Sequence, residues 1–136
     1  MPTWSLTIDV DAAPDDTWAF VGDAMSVPRW YTKYDTCEVA GTTRILRNSE
    51  GGELVESLDD RDDARRYYSY SVLSGAPVRA YHASFEVESR GAGSRVVWRV
   101  EAEPSDPSVD IEARLLPTQT AALQRMKEIV EATTEA

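Results

Sequence analysis

From residue 36 to residue 103 the chain is cut into strand-length pieces. The cuts fall at "NSEGG", "DDRDD", "SGAPV" and "RGAGS", clusters of the residues that tight turns require. Between them, at about 36–48, 52–59, 64–74, 80–90 and 94–103, β-branched and aromatic residues dominate. Connections this short join antiparallel neighbours, because a parallel pair needs a crossover of a dozen residues or more. A further strand is predicted at "TWSLTIDVD", where Trp4, Leu6, Ile8 and Val10 share one side.

Helical signals bracket this run. In "APDDTWAFVGDA", Pro14 sits near a helix start and Asp15 and Asp16 occupy the first turn, where the positive dipole end favours them. Trp18, Val21 and Ala24 supply its apolar stripe, and Gly22 predicts an early end. "SVPRWY" reads as a second short helix or turn, with Pro28 holding Val27 extended. Residues 107–134 turn helical, since Leu116, Leu123, Met126 and Val130 recur at helical spacing with Ala122 and Ile129 beside them. Pro117 is expected to interrupt or restart that helix. The order is therefore one strand, two short helices, a meander of strands and one long C-terminal helix. A six- to seven-stranded antiparallel sheet of this kind has one face to cover, and a single long helix lies across it. Room between the two is where a ligand would go.

Composition removes several function classes. With 136 residues, 42% hydrophobic and 28% charged, the chain suits one globular domain spanning 1–136. A net charge of -10 argues against nucleic acid and against anionic membrane surfaces. No stretch is long enough to cross a bilayer, and no signal segment opens the chain. The single Cys37 excludes an internal disulfide, which fits a reducing cytoplasm.

"RILRNSEGGELVESL" carries the one chemical oddity. A turn at Ser49 to Gly52 pairs residues whose numbers sum to about 100, so Leu46 faces Leu54 and Arg44 faces Glu56. In the last two strands, Tyr81, Ala83, Phe85, Val87 and Val96, Trp98, Val100, Ala102 form the apolar sets that face the helix. If Leu46, Leu54 and Leu58 do likewise, Arg44 and Glu56 turn inward with them. The rival face holds Ile45, Val55 and the pair Arg47 and Glu53.

The stretches "DDTWAFVGDAMSVPRW", "GTTRIL", "GGELVESLDD", "YYSYSVLSGAPVRAY" and "SRVVWRVEAEP", in this order, resemble the polyketide cyclase/dehydrase branch of the START/Bet v 1-like (SRPBCC) superfamily. The likeness runs to about Lys127. It implies an α+β helix-grip fold around a hydrophobic cavity, in a superfamily that serves cyclases, dehydratases, lyases, hormone receptors and lipid carriers. Some members use an arginine and a glutamate on neighbouring strands for lyase chemistry, and others use a glutamate only to bind.

Read with that fold, Glu56 is the candidate general acid or base. Burial raises a carboxyl pKa and a nearby guanidinium lowers it again. Arg44 offers donors to a carbonyl or enolate oxygen. Ligand contact without chemistry and a plain structural ion pair stay open. Tyr68 and Tyr70 share parity with Val72 and are candidate substrate contacts. Trp30, with Tyr31 and Tyr34, falls where the fold has its cavity mouth. Tyr81, Phe85, Trp98 and Met126 complete the expected cavity lining. Outward parity removes His82, "DDRDD" lacks the ligand spacing of a calcium loop, and nothing arranges Ser, His and Asp as a triad. The expectation is a cofactor-independent biosynthetic enzyme, a cyclase or dehydratase of lyase or isomerase type, acting on a small hydrophobic oxygenated molecule. The alternative is a carrier of such a molecule that does no chemistry. A homodimer is left open.

Overall fold

The computed structural model describes residues 1–134. Its strands are β1 (Thr3–Val10), β2 (Thr36–Ala40), β3 (Thr43–Arg47), β4 (Glu53–Asp62), β5 (Tyr67–Ser74), β6 (Val78–Arg90) and β7 (Gly93–Pro104). Two short helices, α1 (Pro14–Val21) and α2 (Val27–Trp30), follow β1, and α3 (Ile111–Thr134) closes the chain. The strands form one antiparallel sheet in the order β1-β7-β6-β5-β4-β3-β2. β1 pairs with β7, so the first strand docks on the last and the meander runs from there to β2. This is the helix-grip fold: the sheet curves around α3, and α1 and α2 cover one end.

The stretch at 36–48 is two strands rather than one. Gly41, at φ 62°, takes the left-handed conformation that a tight turn needs, and the chain reverses between Ala40 and Thr43. β4 runs on to Asp62, where residue 59 was expected to end it. Register shifts between Leu58 and Arg61, and this bulge lets Arg61 and Asp62 still pair with Tyr68 and Tyr67. "DDRDD" thus ends a strand and caps a single 3-10 turn at Asp63–Arg65, where Asp62 accepts from the Ala64 and Arg65 amides.

Two proline expectations are overturned. Val27 is the first residue of α2 instead of extended chain; its carbonyl accepts from the Tyr31 amide at 2.7 Å and its side chain is buried. Pro117 lies inside an unbroken α3. The amide it lacks would have bonded the Ala113 carbonyl, and both residues are exposed, so the missing bond falls on the solvent side of the helix. The helix starts at Ile111, four residues later than its apolar spacing suggested, where Asp110 accepts from the Ala113 amide at 3.1 Å.

The core lies between the concave sheet face and the helices. Phe85 stacks on Trp98 at 4.7 Å, and Trp30 meets both edge-on at 5.5 Å and 5.9 Å. Leu123, Met126 and Val130 present the buried stripe of α3. Among the described residues no helix is long and apolar enough to cross a membrane.

Candidate functional site

β3 and β4 pair as the turn spacing predicts, with Leu46 opposite Leu54 and Arg44 opposite Glu56. The concave face receives all four. Arg44 is 2% exposed and Glu56 3%. The rival face carries Arg47 and Glu53, paired at 3.1 Å with each side chain about half exposed. A strand's period of two therefore sorts one ion pair inward and its neighbour outward.

Arg44 Nε donates to Glu56 Oε1 at 2.8 Å. Nη1 donates to the Ala24 carbonyl at 3.1 Å, in the link between α1 and α2, and to the Tyr68 hydroxyl at 3.3 Å. The guanidinium also lies 5.0 Å from the Tyr70 ring centre. Burial works against the Arg44 charge, but Tyr68 and Glu56 outweigh it and hold the group more firmly protonated than usual. Burial pushes the Glu56 carboxyl above the usual carboxylate range, and Arg44 pulls it part of the way back.

Two atoms of the pair are left over. Among the described residues Glu56 Oε2 and Arg44 Nη2 have no hydrogen-bond partner. No sealed side-chain nitrogen or oxygen lacks a partner there either, so both atoms are accessible rather than entombed. Both residues line a cavity of about 110 Å³. One free acceptor and one free cationic donor thus belong to two paired residues of a largely apolar cavity wall.

Trp30, Tyr70, Tyr81 and Trp98 line this cavity, as do Tyr31 and Tyr34 at its α2 side. Tyr31 and Tyr34 stack at 5.8 Å. Burial pushes the Tyr34 phenol up to about 12. Tyr68, Phe85 and Met126, expected in the lining, are not part of it. Inward parity puts them in the packed core, each at most 3% exposed, with Tyr68 behind Arg44 as its hydrogen-bond acceptor. Sequence reasoning missed Gln119, Lys33 and the β5–β6 turn from Gly75 to Val78, all of which line the cavity. Gln119 had a signal, since it falls on the stripe of Leu116, Leu123, Met126 and Val130 and is a polar residue on an apolar face.

The convex face holds the features set aside from the sequence. His82 is exposed there, and Ser71 and Asp59 lie beside it. The Ser71 hydroxyl donates to Asp59 at 2.6 Å and meets His82 Nδ1 at 3.0 Å. With its proton on Asp59, Ser71 accepts from His82, the reverse of what a nucleophilic triad needs. Cys37, half-buried, points at the Ala24 carbonyl and burial raises its thiol pKa, which suits packing rather than attack.

Comparison with known proteins agrees with this architecture. XoxI from Bacillus cereus superposes with a TM-score of 0.86 at 24% identity, over 96% of each chain. The di-domain ARO/CYC BexL from the BE-7585A biosynthetic pathway gives 0.83 at 22% identity, with 100% of this chain matched to 48% of that one. Zhui aromatase/cyclase from Streptomyces sp. R1128 gives 0.78 at 17% identity, over 96% of this chain and 93% of that one. At these identities the likeness is one of fold. A comparison with curated proteins returned no match. The family described as polyketide cyclase / dehydrase and lipid transport matches residues 1–131, which take in every strand, the Arg44–Glu56 hairpin and nearly all of the gripped helix, so the chain belongs to that family.

Proposed function

We propose that the protein is a cofactor-independent enzyme of the cyclase or dehydratase type. Glu56 is its proton-transfer group and Arg44 its oxygen clamp. The observation that carries this reading is the pair of uncommitted atoms, Glu56 Oε2 and Arg44 Nη2, on one cavity wall. A carboxylate whose pKa is raised by burial is a better base toward a carbon acid than one in water. Oε2 takes the proton from the carbon next to a carbonyl, and the C–H electron pair becomes the enolate double bond. Charge then gathers on the carbonyl oxygen, where Arg44 Nη2 donates to it without leaving its ties to Glu56, Ala24 and Tyr68. From that enolate, returning the proton to a departing β-hydroxyl gives dehydration and water. Attack of the enolate carbon on a second carbonyl closes the ring as that carbonyl's π pair moves to its oxygen, and the alkoxide formed takes the proton back from Glu56. The carriers in this family motivate a second reading, which the same pair also supports: a guanidinium and carboxylate already joined at 2.8 Å can orient a ligand without reacting. A cavity of about 110 Å³ disfavours a lipid cargo, since sites for larger ligands run to roughly 300–1,000 Å³.

Native mass spectrometry after incubation with extracts of the host separates the two, with wild type run beside Glu56→Gln. A product on wild type and an unconverted precursor on the variant is the expected result. The same unchanged molecule released by both makes the protein a carrier.

A further inference from the structure

The cavity carries a second polar group that the proton transfer does not use. Tyr70 and Tyr81 both line it, with their hydroxyl oxygens 3.4 Å apart. Trp98 Nε1 donates to the Tyr70 oxygen at 3.1 Å, and Gln119 Nε2 donates to the Tyr81 oxygen at 3.4 Å. Chemistry fixes these directions. An indole N–H can only donate, so Trp98 makes Tyr70 an acceptor. Trp4 Nε1 donates to Gln119 Oε1 at 2.9 Å, which turns the amide nitrogen toward Tyr81 and makes Tyr81 an acceptor too.

Each phenol therefore already receives a proton and still has its own to give. Only one of those two protons can lie between the two oxygens. The other has no acceptor among the described residues, and the space beside both hydroxyls is the cavity.

We propose that Tyr70 and Tyr81, set by Trp98 and by the Trp4–Gln119 pair, form a one-proton donor site for an acceptor oxygen on the ligand. The site selects molecules about one ring in size that bear a carbonyl or enolate oxygen, and rejects isosteric hydrocarbons. The size limit follows from volume, because an apolar cavity of roughly 150 Å³ accommodates benzene and this one, at about 110 Å³, holds at most a smaller ring. This inference rests on the proposed cavity as the ligand site, and it does not depend on the role of Glu56.

The test uses two probes of matched shape, cyclobutanone and methylenecyclobutane, titrated by NMR against wild type, Tyr70→Phe, Tyr81→Phe and the double variant. Wild type should prefer the ketone by about tenfold or more, the scale of one hydrogen bond gained in a desolvated site. Each single variant should keep that preference, because the one remaining phenol proton no longer has a phenolic neighbour to go to. The double variant should lose the share of it that the phenols supply, keeping at most what Arg44 Nη2 gives, while still binding methylenecyclobutane, and the infrared carbonyl shift of bound ketone should shrink with it. Gln119→Glu gives a route that keeps both phenols. Its carboxylate accepts from Trp4 and Tyr81, Tyr81 accepts from Tyr70, no proton is left for the ligand, and the ketone preference should fall. Equal affinity of wild type for both probes, or a ketone preference undiminished in the double variant, overturns the donor site. Failure of both probes to bind wild type overturns the ring-sized ligand class. Neither probe carries a β-hydroxyl or a second carbonyl, so binding is read without turnover and a failure of the proton-transfer reading stays visible separately.

Discussion

Arg44 and Glu56 meet at 2.8 Å across the β3–β4 pair with only 2% and 4% of their side chains exposed. Two charges taken this far from water stabilise the fold only as long as both are present, since losing one strands the other. Arg44→Met should therefore cost about 3–5 kcal/mol at pH 8. Burial already raises the Glu56 pKa, and loss of Arg44 raises it further. A carboxyl with a raised folded-state pKa contributes stability below its unfolded value, which is lost as pH rises through the folded one. The deficit of the variant should accordingly shrink toward pH 4.5. Urea unfolding at the two pH values checks this, and a deficit that ignores pH would show that Glu56 is not the stranded charge.

The register of this hairpin was legible because a glycine-bearing turn fixes which residues pair, and the period of two then carries Arg44 inward with Leu46. Depth along the strand was not legible. Tyr68, Tyr70, Tyr81 and Phe85 all face inward by parity, yet only Tyr70 and Tyr81 reach the cavity. What separates them is how α1 and α2 cover one end of the sheet, a tertiary fact with no period in the sequence. Pro117 misled because the bond it removes lies on the solvent side of α3. The stretch at 36–48 misled because its turn is only two residues, Gly41 and Thr42, with a single glycine to mark it.

Phe85 tests that division. It is 1% exposed and touches the rings of Trp30, Tyr68, Tyr70 and Trp98, so it holds the aromatic wall from behind. Phe85→Ala should destabilise by about 3–5 kcal/mol through lost transfer energy and the void left behind. Chemical denaturation measures it. A loss below about 1 kcal/mol would mean the neighbouring rings collapse into the gap.

Gly75 sits on the cavity wall at the β5–β6 turn with φ at 97°, a conformation side chains resist. A Cβ there would lie 2.0 Å from the Glu53 carbonyl oxygen, which must move to admit it. Gly75→Ala should cost more than about 1 kcal/mol and displace the start of β4, where Glu53 and Leu54 lie. Thermal melting reads the first effect, and amide shifts of Glu53 and Leu54 read the second. Wild-type melting in the variant would show that the turn has an alternative conformation.

Four tyrosines near the site share one electrostatic consequence. Burial pushes Tyr34 up to about 12 and also raises Tyr68, Tyr70 and Tyr81, each with burial as the largest cause. In the unfolded chain these phenols release their protons near pH 10, while the folded chain keeps them. A raised pKa contributes stability that is complete below the unfolded value and is lost as pH climbs toward the folded one. Stability should therefore fall steeply above pH 10, by up to about 1.4 kcal/mol per pH unit for each phenol still protonated in the fold. Absorbance at the tyrosinate band should lag in the native protein and then rise together with unfolding. Tyr70→Phe and Tyr81→Phe should each flatten the slope, because a phenylalanine has no proton to hold. Smooth titration of all six tyrosines near pH 10 without unfolding would instead mean that the hydroxyls of the cavity wall are open to water.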